Sequence, residues 1–162
     1  MDAKAGQESV AVFLWMQQAA AASEPEAQEW DPEKETLLAS RAPAFALVRA
    51  LRGQGNSVHE PEEDEQTWCF SVGVGGDMVD VVVLWTAIDY PPHNYIAAQW
   101  RLRRPLLPRL LHVPLSADAV ARCHAALDLA LRSIPEVADL RWMSDEEFGR
   151  SYGGGFPLSA PT

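Results

Sequence analysis

Residues 66–104 read QTWCFSVGVGGDMVDVVVLWTAIDYPPHNYIAAQWRLRR, and their pattern decides the fold. Trp68, Phe70, Val72 and Val74 alternate with Thr67, Cys69, Ser71 and Gly73, which is the period of a strand with one heavy and one light face. Gly73-Val74-Gly75-Gly76-Asp77 then supplies turn chemistry, because glycine reaches the positive φ that a tight hairpin requires, and a bulged hairpin turn is expected there. Beyond it, Met78 to Ile88 is apolar on both faces: Val79, Val81, Val83 and Trp85 on one, Val82 and Leu84 on the other. Such a strand belongs inside a sheet, between two neighbours and covered on both sides. Tyr90-Pro91-Pro92-His93-Asn94 interrupts the run, and Tyr95 to Arg103 resumes alternation with one wetter side.

Working outward, the flanks read mainly as helix and loop. Glu8 or Ser9 can open a helix to about Ala21, with Val10, Phe13 and Leu14 on its apolar side. Asp31 is an N-cap followed by Pro32, and Pro43 either interrupts this second helix or starts another that Gly53 ends. Residues 54–65 read as an exposed acidic loop, and a short strand is expected near Leu110 to Val113. Ser116 caps a helix to about Arg132, and Ser144 to Phe148 forms one further turn. The expectation is an α+β fold: an antiparallel sheet of three to four strands covered by helices. Residues 1–150 form a single domain, and 151–162 a flexible C-terminal tail.

A chain of 162 residues can bury a sizeable core without staples. Its two cysteines, Cys69 and Cys123, fall within periodic apolar elements and read as buried, reduced thiols. The apolar run from Val10 to Met16 is too short to span a bilayer. The residues before it, with Asp2 and Glu8 against Lys4, lack the positive start of a secretory leader, so a cytoplasmic protein is expected. The net charge of −10 is concentrated in residues 1–65, whose balance is −8. That distribution argues against nucleic acid, whose phosphates are bound chiefly by lysine and arginine.

The candidate catalytic and cofactor motifs lack the context that their chemistry needs. The glycines at 73–76 lead into a strand and lack dinucleotide-binding spacing, and Gly153-Gly154-Gly155 is not followed by the lysine of a phosphate-binding loop. His59, His93, His112 and His124 show no metal-ligand spacing. Asp80 and Asp89, nine residues apart in an extended run, would lie about 30 Å from each other, too far for acid–base work as a pair. No catalytic residue, cofactor or metal is therefore assigned, and the protein is expected not to be an enzyme.

The remaining signal is a surface. Glu62, Glu63, Asp64 and Glu65 form a dense carboxylate segment, while Trp100 beside Arg101 offers the residue types that concentrate binding energy at interfaces. The expected function is that of a protein-binding module: an acidic immunity protein that neutralises a toxin or effector, taking one specific partner with a basic surface. An effector-secretion chaperone is one alternative. The other is a small-molecule-binding protein or enzyme with a pocket between sheet and helices.

Overall fold

The computed structural model describes residues 8–16, 32–86, 95–103, 110–111 and 115–152. Along the chain lie β1 (Glu8–Trp15), α1 (Pro32–Gly53), β2 (Ser57–Val58), β3 (Glu62–Asp64), β4 (Thr67–Val74), β5 (Asp77–Thr86), β6 (Tyr95–Leu102), α2 (Ala117–Ser133), β7 (Val137–Ser144) and α3 (Asp145–Tyr152). The seven strands form one antiparallel sheet in the order β2-β4-β5-β6-β1-β7, and β3 shares the outer edge of β4 with β2.

The expected α+β class and the run of strands across residues 67–103 agree with this architecture, but three to four strands is a correction to seven. Four strands account for the difference. β1 stands where a helix was expected: Val10, Ala11, Val12 and Phe13 are all at most 1% exposed, so the segment is apolar on both faces and carries no period-2 signal. β2 and β3 arise within the expected loop by pairing with Val72–Gly73 and Thr67–Cys69. β7 hides its alternation behind a register shift against β1, with Asp139 at φ 51 beside the irregularity.

The hairpin between β4 and β5 is tighter than expected. Its register runs without a break from Trp68↔Val83 to Val74↔Asp77, leaving Gly75 and Gly76 as a two-residue turn at φ 54 and 88. Both values are positive, as a primed turn matched to strand twist requires. β5 is flanked by β4 and β6, in keeping with its two-sided apolarity. The expected strand near Leu110 to Val113 falls largely outside the described residues, and of that stretch only Leu110 and Leu111 are seen, Leu110 in helical conformation.

The main core lies between one sheet face and the helices α1 and α2. Trp68, Phe70, Val72, Val79, Val81, Val83, Ile96 and Trp100 meet Leu47, Val48 and Leu51 of α1 and Cys123, Leu127 and Leu131 of α2. α1 continues through Pro43, where the sequence predicts a break or a new start. A proline inside a helix costs about 3 kcal/mol, and the buried Ala44, Leu47, Val48 and Leu51 beyond it offset that cost. The Trp68 indole also donates to the Leu37 carbonyl at 2.8 Å, tying the helix to β4 before the proline.

On the other face, α3 lays Phe148 against Val10, Val12, Leu84, Ala97 and Met143. Its first residue is pinned from two strands, since Ser9 Oγ and Gln99 Nε2 both donate to the Asp145 carboxylate, at 2.7 and 2.9 Å. Ser116 caps α2 as expected, accepting from the Ala119 N–H at 3.4 Å.

Val83 is fully buried at the centre of the β4–β5–β6 ladder. Val83→Asp would bury a charge with no partner and is expected to lower unfolding stability by about 3 kcal/mol or more. A urea midpoint shows this directly.

Candidate functional site

Glu62, Glu63 and Asp64 form β3, and Glu65 opens the turn back into β4. All four side chains are exposed, and none makes an ion pair among the described residues. Glu65 sits at φ 54, and the Thr67 hydroxyl donates to the Asp64 carbonyl at 2.9 Å across the same turn. The carboxylates are thus displayed on a folded edge rather than on a loop.

Pairing assigns each acid a direction. Glu63 stands opposite Trp68 and shares its helix-side face, whereas Glu62 opposite Cys69 and Asp64 opposite Thr67 share the second face. The Cys69 thiol registers those neighbours: burial pushes it up, the Thr67 hydroxyl pulls it down, and Asp64, Asp80 and Glu62 add further upward pressure.

Trp100 and Arg101 are not brought together. Trp100 is 4% exposed and packs in the main core, while Arg101 is exposed on the opposite face of β6. Successive residues of a strand point to opposite faces. Three strand spacings, about 14 Å, also separate Arg101 on β6 from the acids on β3. Trp142 is likewise occupied: its indole donates to Asp128 at 2.8 Å, and its ring meets that of His124 at 4.2 Å between centroids. The neighbouring Arg141 pairs with Asp139 at 2.7 Å.

An aromatic and arginine group does lie beside the acidic strand, built from residues the sequence reading passed over. The Arg41 guanidinium stacks over Phe45 at 4.9 Å and Trp68 at 5.9 Å, and Trp68 is the cross-strand neighbour of Glu63. Phe45 meets Trp68 edge-on at 5.5 Å. Splitting the helix at Pro43 concealed the signal, because Arg41 and Phe45 are four apart on one continuous helix.

Elsewhere the candidate chemical groups are engaged. Asp77 pairs with Arg122 at 2.9 Å, and Asp80 binds Arg103 and Ser71. Burial alone would push the Asp80 carboxyl up, but its hydrogen bonds from Arg103 and Ser71 outweigh that and hold it below the usual carboxylate range. Burial also raises the Cys123 thiol. Cys69 faces away from the helices and Cys123 faces the core beneath them, so the sheet stands between the two thiols. His124 keeps Nε2 buried without a hydrogen-bond partner among the described residues. His93, His112 and Asp89 lie outside those residues, as does Gly153-Gly154-Gly155. Among the described residues no group of three histidine, cysteine or acidic side chains is arranged to hold a metal ion.

Two measurements follow from these environments. Both thiols are expected to alkylate more slowly than a free thiol in the native state, Cys123 far more slowly than the half-exposed Cys69, as mass spectrometry after timed labelling reports. Asp80, Asp128 and Asp139 all titrate below their ordinary value when folded. Their contribution is therefore complete above the unfolded pKa of about 3.9 and is lost as pH falls through the lower folded values. Asp80→Asn should flatten part of that acid-side loss in urea midpoints taken between about pH 5 and pH 2.

No protein-family model, curated protein or solved structure matches the chain significantly.

Proposed function

We propose that the protein is a binding module of the immunity type, which neutralises a toxin or effector by laying its acidic strand against that partner's basic surface. The observation carrying this reading is the display of Glu62, Glu63, Asp64 and Glu65 on the outermost strand, exposed and with no ion pair among the described residues. Carboxylates in that position accelerate encounter with a positive cleft, and they lose little on binding because no internal cation has to be given up. The Arg41–Phe45–Trp68 stack next to Glu63 adds a held guanidinium and an aromatic edge, the residue types that resist dissociation once water is excluded.

The test uses the chain as bait in lysate from its own cells, followed by binding kinetics with the purified captured protein. Reversing all four acids to lysine should slow association by roughly tenfold or more at about 20 mM salt. The difference should nearly vanish at about 1 M, where the Debye length is only about 3 Å. Arg41→Ala should act chiefly on dissociation. Equal association rates for parent and reversed chains at low salt would overturn the proposal.

A further inference from the structure

The outward side of α1 carries Leu38, Arg41, Phe45, Arg49 and Arg52 at three- and four-residue steps. At about 100° per residue they share a stripe about 80° wide, running about 21 Å along the helix. Leu38 is 68% exposed, the three arginines are exposed, and Phe45 is half-buried. Arg52 is tied to Glu60 at 2.8 Å and to the Val58 carbonyl. Among the described residues Arg41 and Arg49 make no ion pair, and the Arg41 guanidinium rests over Phe45 and Trp68. Beside this stripe runs the edge formed by β2 and β3. Arg52 reaches Val58 and Glu60, and Arg41 lies over Trp68, the cross-strand neighbour of Glu63. Glu62, Asp64 and Glu65 continue the same exposed edge, Glu62 and Asp64 from its other face. One corner of the molecule therefore presents two adjacent bands of opposite charge.

We propose that this corner binds a second copy of the chain, about a two-fold axis lying along the boundary between the bands. Rotation about that axis exchanges its two sides, so the arginine stripe of each protomer meets the acidic edge of the other, and both contacts are attractive. An axis across the boundary would set like charge on like. For a chain of net charge −10, a contact between copies is repulsive unless a positive surface takes part, and the α1 stripe provides one. Leu38 lies within the stripe and supplies apolar area to the contact. A stripe of this length gives a contact at the small, reversible end of protein interfaces. The same acids are those offered to a basic partner in the proposed function, so self-association and partner binding exclude each other. The dimer itself does not depend on that partner.

Sedimentation equilibrium of the full chain tests this between about 5 and about 500 µM. At about 20 mM salt the mean mass should climb from 17.8 kDa toward twice that value, with affinity falling roughly tenfold at about 500 mM. R41E/R49E and E62K/E63K/D64K/E65K should each remain monomeric alone. Mixed one to one, they should form a heterodimer, because both contacts again join opposite charges; this recovery also shows that the variants are folded. A parent that stays at 17.8 kDa throughout overturns the proposal. So does a dimer that survives in either variant alone, or a mixture that fails to associate. Partner capture by a parent chain that never dimerises would leave the proposed function standing while this inference falls.

Discussion

The insertion of β1 between β6 and β7 is the pairing on which the rest of the sheet depends. Among the described residues β7 pairs with β1 and with no other strand, so removing β1 would leave β7 and the helix that follows it without that backbone tether. The insertion also joins the two cores. Ala11, Phe13 and Trp15 face the helices α1 and α2, while Val10 and Val12 meet Phe148 on the other side. A buried side chain the size of phenylalanine is worth about 1.5–3 kcal/mol, and in β1 such burial serves both layers at once. The pairs Val10↔Gln99 and Val10↔Met143 close loops of most of the chain's length. A fold rich in such distant contacts pays much of its entropy before the contacts form, which slows folding.

Both ends of the sheet are blunted, by different chemistry. At one end Pro61 separates β2 from β3, and β3 is three residues long and wholly acidic. Short, charged edges discourage further strand pairing. At the other end β7 is bent by its irregularity near Asp139, and the Asp139–Arg141 pair decorates that strand. The carboxylates of β3 thus have a structural use that is independent of any partner. What distinguishes them from mere edge protection is their position beside the Arg41 stack, which a blunted edge does not require.

The parts legible in the sequence were those in which local pattern and tertiary environment agree. β4 alternates because its two faces are unlike, and Ser116 announces α2 because its hydroxyl has a local backbone donor to accept from. β1 was illegible for the opposite reason, since two buried faces erase alternation and leave an apolar run that suits a helix equally well. Pro43 misled because the favourable terms that outweigh it come from packing with distant strands. At the candidate site, the four acids were visible as composition, but their placement on a strand required β4 as a template. Trp100 and Arg101 looked like neighbours only because adjacency in sequence was read as adjacency on a surface. Strand geometry separates them, and the Arg41–Phe45–Trp68 contact joins two neighbours on α1 to a residue of a later strand.

The order in which these strands leave the ribosome adds a constraint that the folded state conceals. β1 ends at Trp15, while its first pairing partner begins at Tyr95, 80 residues later. At about 5–20 residues per second, that gap lasts about 4–16 s. Throughout it, a segment as apolar as Val10-Ala11-Val12-Phe13 has no native strand to join. β4 and β5, separated by two glycines, can meet almost as soon as they emerge. Biosynthesis therefore builds the sheet from its middle, with its earliest strand waiting longest, and the yield of native protein in a cell depends on how well that waiting strand is shielded.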